Sequence, residues 1–197
     1  HVRSRRQRQM CIRDRVSHED LGGARVHAGK SGVADGAFEN DLEALSEVRR
    51  LIGFLPLSNR EKPPVRESYD EPDRDEPSLD TLIPANPNQP YDMKELILKV
   101  VDEADFFEIG ADFAKNIVTG FGRLDGQTVG VVANQPQVLA GVLDIDSSRK
   151  AARFVRFCDA FDIPLVTLVD VPGFMPGTKQ EYGLSLIHIS EPTRRTP

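Results

Sequence analysis

The residues Asp170–Gly177 have the sequence DVPGFMPG, which is the composition of a loop that binds an anion through backbone N–H groups. Two glycines and two prolines hold such a backbone in a fixed, unusual path, beside the apolar side chains of Phe174 and Met175. N–H groups held in this way stabilise an oxyanion without any side-chain acid or base. An ordinary tight turn has the same composition, so both interpretations stay open at this point.

Three arginines, Arg149, Arg153 and Arg156, are spaced to lie on one side of a predicted helix. In an acidic chain, such local positive charge is suited to a phosphorylated ligand. A solvated helix face produces the same pattern, and the spacing favours this simpler interpretation.

Other candidates for chemistry are weak. The segment Ala24–Ser31 (ARVHAGKS) satisfies a relaxed phosphate-loop pattern, but the residues before it cannot form the buried strand that a working phosphate loop follows. His18 and His27 lack metal-ligand spacing, so no metal site is predicted. Cys158 lies on an apolar helix stripe and is most simply a core residue. No Ser–His–Asp triad can be assembled.

The elements before the DVPGFMPG loop predict where it lies. The apolar run Pro164–Val171 is typical of a strand buried on both faces, and ligands of open α/β sheets bind at the carboxyl ends of such strands. Asp146, Ser147 or Ser148 is expected to cap a preceding helix that runs through Phe161. Its predicted inward stripe is Ala151, Phe154, Val155, Cys158 and Phe161.

A hairpin is predicted further upstream. The segments Asn116–Leu124 and Gln127–Ala133 flank Asp125-Gly126, a strong hairpin-turn signal. A short strand is expected at Phe106–Ile109. Together with the later helix and strand, these elements predict a layered α/β domain.

Two predicted helices flank a proline-rich stretch. Phe38–Ile52 has apolar residues at helical spacing, and Gly53 follows at a stop position. The stretch Pro56–Pro90 has eight prolines in 35 residues and a dense acidic patch, so it is interpreted as an interdomain linker. A helix with a capping box then begins at Asp92. The side chains expected to point inward from it are Met93, Ile97, Val100 and Val101.

Composition limits the class of protein. The 197 residues are 28% charged and 39% apolar, with a formal net charge of −6, which is typical of a globular protein. The negative charge argues against a nucleic-acid-binding domain. No apolar run reaches the roughly 18 residues of a membrane-spanning helix. Two cysteines cannot build a disulfide framework, which favours a reducing compartment such as the cytoplasm.

Both ends of the chain resemble translated sequencing adaptor. Arg5–Arg15 contains MCIRD and Leu184–Arg194 contains LSLIHI, which reverse-complementary DNA can encode. Residues 1–15 and 184–197 are therefore predicted to be non-native and to take no part in the fold. An Arg-rich transit peptide is the competing interpretation of the first segment. Residues 16–183 carry 17 Lys and Arg against 29 Asp and Glu, a net charge of −12.

Four segments together resemble the carboxyltransferase (beta) subunits of biotin-dependent acyl-CoA carboxylases, of the propionyl-CoA carboxylase type. The segments are LGGARVHAGKSGVAD (Leu21–Asp35), NQPYDMKELI (Asn88–Ile97), TGFGRLDGQTVGVVANQP (Thr119–Pro136) and KAARFVRFCDAFDIPLVTLVDVPGFMPGTKQEYG (Lys150–Gly183). The resemblance covers residues 16–183 and about a third of a typical family member.

The resemblance implies an α/β, crotonase-like (ClpP/crotonase) layered β-β-α fold, with parts of two such domains. Residues 16–57 would be the end of the N-terminal carboxyltransferase domain, 58–90 the Pro-rich linker, and 91–183 the start of the C-terminal carboxyltransferase domain. Apolar patches are expected around Phe154–Phe161 and Phe174, where the rest of a longer chain or a partner would pack.

The implied reaction moves a carboxyl group from carboxybiotin to the α-carbon of an acyl-CoA, propionyl-CoA or acetyl-CoA, through an enolate held by backbone oxyanion holes. The biotin would be carried on a partner biotin carboxylase or biotin carboxyl carrier subunit. A homo-oligomer, hexameric in the full-length family, is also implied, with no nucleic-acid or membrane partner. The alternatives are the decarboxylase subunit of a biotin-dependent sodium pump (methylmalonyl-CoA type) and a non-catalytic crotonase-like module.

Residue roles also follow from the resemblance. Gly173, Phe174 and Gly177 would be catalytic, as the first oxyanion position of the second domain. The residues implied to contact acyl-CoA or biotin are Asn134, Gln135, Pro136, Gly141, Arg153 and Met175. The family's other donor loops would lie before Val16 and after Gly183, so this chain alone is expected to be inactive.

Overall fold

A computed structural model describes residues 17–71, 73–86 and 89–182; both adaptor-like ends lie outside this range. The first described part is helical, with α1 (His18–Gly22), α2 (Ala24–Gly29) and α3 (Asp41–Ile52). The pattern Ala24–Ser31 therefore begins as helix α2 directly after another helix. Because no strand precedes it in the described residues, it lacks the strand-to-helix geometry of a phosphate loop.

Helix α3 confirms the predicted amphipathic helix. The side chain of Asn40 accepts a hydrogen bond from the N–H of Glu43 at its start, and Gly53 caps its end. The apolar face is open to solvent, since Leu42 is 81% exposed and Leu45 is 66% exposed. The core is reached at the end of α3, where Leu51 packs against it, and just after the helix, through the fully buried ring of Phe54.

The proline-rich stretch has little regular structure, with one 3₁₀ turn (Pro77–Thr81) among its described residues. It nevertheless packs against the sheet domain. The N–H of Arg66 donates to the carbonyl of Gly126 at 3.0 Å. The guanidinium of Arg74 donates to the carbonyls of Lys99 at 2.9 Å and Val101 at 3.0 Å. Its role as an interdomain linker stays a prediction.

The remaining elements form one four-stranded sheet with a helix on each face, and a short third helix follows the last strand. They are α4 (Met93–Val100), β1 (Phe107–Glu108), β2 (Ile117–Leu124), β3 (Gln127–Asn134), α5 (Ile145–Ala160), β4 (Leu165–Leu168) and α6 (Thr178–Tyr182), with short 3₁₀ turns at Asp102–Ala104 and Leu139–Gly141. The strand order is β1-β2-β3-β4, antiparallel except for the parallel pair β3 and β4.

The predicted hairpin is confirmed in place and register. Leu124 pairs with Gln127, and the two turn residues Asp125 and Gly126 have φ of 50° and 72°. Positive φ at both central residues is the type I′ geometry that matches the twist of the strands. This hairpin forms the centre of the sheet.

The two faces of the sheet carry separate cores. On one face, α5 packs Phe154 and Cys158 against Phe121, and Phe54 joins them from the end of α3. On the other face, α4 packs Met93, Ile97 and neighbouring side chains against β2 and β3. Cys158 is a fully buried free thiol, and its burial raises its pKa to about 12, as expected of a core residue.

Helix α5 begins earlier than predicted. Asp144, rather than Asp146, Ser147 or Ser148, is its N-cap: the carboxylate accepts from the N–H of Ser147 at 2.9 Å, and the Ser147 hydroxyl accepts from the N–H of Asp144 at 2.8 Å. Burial alone would raise the pKa of Asp144, but these bonds and one from Asn116 outweigh it and keep the pKa below its usual range.

Two burial predictions are also wrong. Val100 is 37% exposed, because the buried row of α4 is Met93, Ile97 and Val101, which recur at intervals of four. Strand β4 is not buried on both faces: Leu165 is 38% exposed, because β4 lies at the sheet edge and pairs with β3 alone in the described residues.

The expected apolar patches are present in part. Phe174 is 45% exposed and Phe157 is 37% exposed, as predicted. Phe154 is buried against the sheet, so the patch on α5 is smaller than expected.

Across the residues that the structure describes, each helix is too short or too polar to span a bilayer.

Candidate functional site

The DVPGFMPG loop lies at the carboxyl end of β4, beside the end of its parallel neighbour β3. The N–H of Asp170 donates to the side-chain oxygen of Asn134, the last residue of β3, at 3.3 Å. The side-chain amide of Asn134 in turn donates to the carbonyl of Gly141 at 3.1 Å. The structure therefore brings the predicted residues Asn134 and Gly141 against the predicted loop.

Gly141 is required at this position by both conformation and space. Its φ is +75°, in the left-handed region that favours glycine. A Cβ atom there would lie 2.7 Å from the carbonyl oxygen of Asp170. The preceding residues Leu139 and Ala140 also have positive φ, which is a strained conformation for residues with a side chain. This turn thus lets residues 139–141 approach the base of the loop.

The tip of the loop is fixed by two backbone hydrogen bonds to Leu143. The N–H of Leu143 donates to the carbonyl of Gly173 at 3.2 Å, and the N–H of Met175 donates to the carbonyl of Leu143 at 2.8 Å. Neither the N–H of Gly173 nor that of Phe174 donates to any group among the described residues. The loop therefore holds two free donors in a fixed frame.

The space in front of the loop is open. Gly173 and Gly177 have φ of +151° and +135°, and among the described residues other than each glycine and its two chain neighbours, no heavy atom lies within 4 Å of a Cβ built there. Phe174 is exposed beside them. Free donors, an open approach and an adjacent apolar ring are what a site for the oxygen of an acyl group requires.

The start of helix α4 is tied to both strand ends. The side-chain amide of Gln135 donates to the carboxylate of Asp92 at 2.7 Å, and the N–H of Met93 donates to the side-chain oxygen of Gln135 at 3.2 Å. The hydroxyl of Tyr91 donates to the carboxylate of Asp170 at 2.7 Å. Burial, and then the bond to Asp170, raise the pKa of Tyr91 to about 12. Sequence reasoning predicted Asp92 as the start of this helix, where the structure has it as the N-cap, but assigned no role to Tyr91.

Arg153 lies in a different place from the other predicted site residues. It donates to the carbonyl of Gly32 at 3.1 Å and pairs with Asp35 at 2.8 Å. It lines a cleft of about 620 Å³ between residues 31–35 and α5, together with Arg149 and Arg156. No residue of the DVPGFMPG loop lines this cleft.

The floor of this cleft contains a buried lysine that sequence reasoning missed. Lys150 is 8% exposed, and its ammonium group donates to the carbonyls of Phe113 and Ile117, each at 2.9 Å. Burial lowers its pKa to about 8, although the charge of Glu108 acts in the opposite direction. A polar residue on an otherwise apolar helix stripe is the signal that marks it.

This lysine predicts a pH dependence of stability. Because its pKa is lower in the folded chain than in the unfolded chain, the unfolded chain binds more protons above pH 8, and folding becomes more favourable as the pH rises. The contribution of Lys150 to the free energy of unfolding is expected to increase by ~1 kcal/mol between pH 8 and pH 9, while the raised pKa of Cys158 offsets part of the net increase equally in all the variants compared. Urea unfolding at the two pH values measures this increase.

Matched lysine variants separate this effect from other titrations. Lys115 is exposed, so K115M should retain the increase, whereas K150M should lose it. Equal pH profiles for the two variants would contradict the assignment.

In the described part of the chain, no cluster of three or more His, Cys, Asp or Glu side chains could hold a metal ion.

Comparison with known proteins identifies close relatives. A family model for the carboxyl transferase domain matches residues 7–191. The chain is 74% identical over 175 residues to a propionyl-CoA carboxylase beta chain of Roseobacter denitrificans, covering 89% of this chain and 34% of that protein. It is 51% identical over 175 residues to the methylmalonyl-CoA decarboxylase subunit alpha of Veillonella parvula, again covering 89% and 34%.

A solved structure matches the fold. The transcarboxylase 12S structure with methylmalonyl-CoA and methylmalonic acid bound, described as a hexamer assembly, aligns with a TM-score of 0.87 at 40% identity. The alignment covers 96% of this chain and 37% of that one. The chain thus spans about a third of the length of the curated relatives that it matches.

Proposed function

The chain belongs to the carboxyl transferase domain family, and on this premise we propose that it forms part of the acyl-CoA site of a carboxyltransferase subunit. The subunit transfers a carboxyl group from carboxybiotin to the α-carbon of an acyl-CoA, with propionyl-CoA as the first candidate substrate. The observation that carries the proposal is the pair of free N–H groups of Gly173 and Phe174 at the carboxyl end of β4.

Those donors suit the charge that the reaction develops. Carboxylation at the α-carbon passes through an enolate, whose negative charge lies on the thioester oxygen, and fixed N–H donors stabilise that oxygen more strongly than water does. Carboxybiotin, carried on a partner protein, would supply the carboxyl group, and the biotin left after carbon dioxide departs would accept the α-proton. The chain itself then has to bind, orient and stabilise, which the DVPGFMPG loop can do with backbone groups alone.

The neighbouring residues form the wall of this site. The side-chain amides of Asn134 and Gln135 are buried and bonded to Gly141 and Asp92, so we assign them to shaping the wall. Contact with the acyl group then falls to Pro136, Phe174 and Met175. Phe174 is exposed, and Pro136 and Met175 are half-buried, so all three have accessible surface.

Gly177 is assigned with Gly173 and Phe174 to the catalytic loop. The guanidinium of Arg153 is already paired with Asp35. Its assignment to acyl-CoA rests on the positive charge that it shares with Arg149 and Arg156 at the same cleft.

Assembly and partners form part of the proposal. We expect a homo-oligomer, hexameric like the transcarboxylase 12S assembly, that works with a biotin carboxylase or biotin carboxyl carrier subunit in the cytoplasm. The open apolar face of α3 and the exposed ring of Phe174 support packing against further protein, because contiguous apolar surface is usually covered.

A chimeric subunit tests the function. Residues 17–182 would replace the matching third of the Roseobacter denitrificans propionyl-CoA carboxylase beta chain, and propionyl-CoA carboxylation would be measured with the biotin-carrying partner. At 74% identity we expect a rate within about tenfold of the unmodified beta chain. A chimera that assembles to the same size but has no activity would contradict the proposal and favour a non-catalytic module.

Decarboxylation of methylmalonyl-CoA is the second candidate. The 51% identity to the methylmalonyl-CoA decarboxylase subunit alpha favours it, and the same donors would stabilise the same enolate in the reverse reaction. The direction of the reaction, carboxylation or decarboxylation, separates the two candidate functions. A chimera built on the Veillonella parvula subunit that decarboxylates methylmalonyl-CoA, while the first chimera fails to carboxylate propionyl-CoA, would assign the reverse reaction.

A further inference from the structure

The first residue of the DVPGFMPG loop is held at two points. The N–H of Asp170 donates to Asn134 at 3.3 Å, and its carboxylate accepts from the Tyr91 hydroxyl at 2.7 Å. The loop tip is held separately, through Leu143. The free N–H of Gly173 lies between these anchors, and that of Phe174 belongs to the peptide whose carbonyl is bonded to Leu143. A shift of Asp170 therefore moves the Gly173 donor directly and reaches the Phe174 donor by straining the bonds to Leu143.

Tyr91 is itself well anchored. It directly precedes Asp92, the N-cap of α4, and Asp92 is bonded to Gln135 at the end of β3. Two residues later, Met93 and then Ile97 are buried in the core under the sheet. The Tyr91 ring also packs against this core. Its hydroxyl is therefore presented to Asp170 from a rigid part of the fold.

We propose that Tyr91 is a positioning residue of the carboxyltransferase site: its hydrogen bond to Asp170 sets the path of the DVPGFMPG loop and thereby aims the N–H groups of Gly173 and Phe174. The inference rests on the proposed function of that loop. Tyr91 acts through Asp170 and does not touch the substrate. Burial and the bond to Asp170 raise the pKa of Tyr91 to about 12, so the hydroxyl is protonated and can donate at neutral pH.

Kinetics of the chimeric subunit test this role. Y91F removes the hydroxyl and keeps the ring, and we expect kcat to fall roughly three- to tenfold, as for one lost hydrogen bond, with little change in KM for propionyl-CoA. Y69F is the matched control, because Tyr69 is 82% exposed in the proline-rich stretch. It should match the unmodified chimera. A Y91F chimera with the kcat of Y69F would overturn the inference.

Variants of Asp170 provide a second arm. D170N still accepts a hydrogen bond from Tyr91, whereas D170A cannot. We expect D170N to retain more of kcat than D170A, and Y91F to add little further loss to D170A, because both remove the same contact. Additive losses in the double variant Y91F/D170A would contradict a shared role.

Hydrogen exchange measures the positioning without any activity. In the chimera, Y91F should speed the exchange of the bonded loop amides, those of Asp170 and Met175, about three- to tenfold and leave those of strands β2 and β3 unchanged. Unchanged exchange in the loop would overturn the inference even if the enzyme is active. If the unmodified chimera assembles but has no activity, the proposed function fails, while the exchange result still decides whether Tyr91 positions the loop.

Discussion

Replacing Phe54 by alanine is expected to lower the free energy of unfolding of the chain by about 3–5 kcal/mol, the usual cost of removing a fully buried aromatic ring. Phe54 is 1% exposed. Its ring centroid lies 6.2 Å from those of both Phe107 and Phe121, which belong to strands β1 and β2. The truncated side chain would leave a cavity inside the core between the sheet and α5.

A cation–π contact adds to this cost. The guanidinium carbon of Arg123 lies 4.0 Å from the centroid of the Phe54 ring, and the same guanidinium donates to the carbonyl of Gly53 at 2.8 Å and pairs with Asp105 at 3.1 Å. Arg123 is itself buried, so its charge depends on these partners. The F54A variant therefore also loses the aromatic face that stabilises the buried guanidinium charge of Arg123.

Urea unfolding of the 197-residue chain measures the effect. F38A is the matched control, since Phe38 lies in the same segment but is 42% exposed, and we expect it to cost less than ~1 kcal/mol. Equal destabilisation by F54A and F38A would show that the end of the 16–57 segment is not part of the core of the sheet domain.

Phe54 also shows where sequence reasoning stops. The family resemblance predicts that residues 16–57 end one domain and that 91–183 begin another, a division that stays a prediction. The helix Asp41–Ile52 could be predicted, because its apolar spacing is local. The contact between Phe54 and Phe121 joins residues far apart in the chain, so no periodicity reveals it.

The sheet and the loop were better determined by local signals. Asp125-Gly126 fixes the hairpin, because Asp-Gly is one of the few residue pairs that favour positive φ at both positions of a two-residue turn. Glycine and proline also limit the path of the DVPGFMPG loop, because glycine allows positive φ and proline restricts φ to a narrow negative range. The predicted crotonase-like α/β fold is confirmed by the alignment with transcarboxylase 12S.

The errors have two origins. The cap of α5 at Asp144 is a local capping box with Ser147, which was open to sequence reasoning and was missed among several neighbouring polar residues. The exposure of Leu165 depends instead on which strands flank β4, and Tyr91 and Asp170 are brought together only by the fold. Tertiary neighbours set these last two features, and composition and spacing do not specify them.

The second large effect concerns the donors themselves. In the chimeric subunit, F174P is expected to lower kcat for propionyl-CoA on the order of 10²–10³-fold, because proline deletes one backbone N–H of the proposed oxyanion site. The N–H of Phe174 has no partner among the described residues, so no internal hydrogen bond is lost with it. The residue before the new proline is Gly173, which lacks the Cβ that usually clashes there.

F174A is the matched control for this variant. It removes the exposed ring but keeps the N–H, so it should raise KM through weaker contact with the acyl group and leave kcat within about tenfold of the chimera. Thermal unfolding of both variants checks that the fold is retained. Equal kcat values for F174P and F174A would mean that the Phe174 N–H stabilises no charge in the transition state, and the oxyanion role would then pass to donors elsewhere in the subunit.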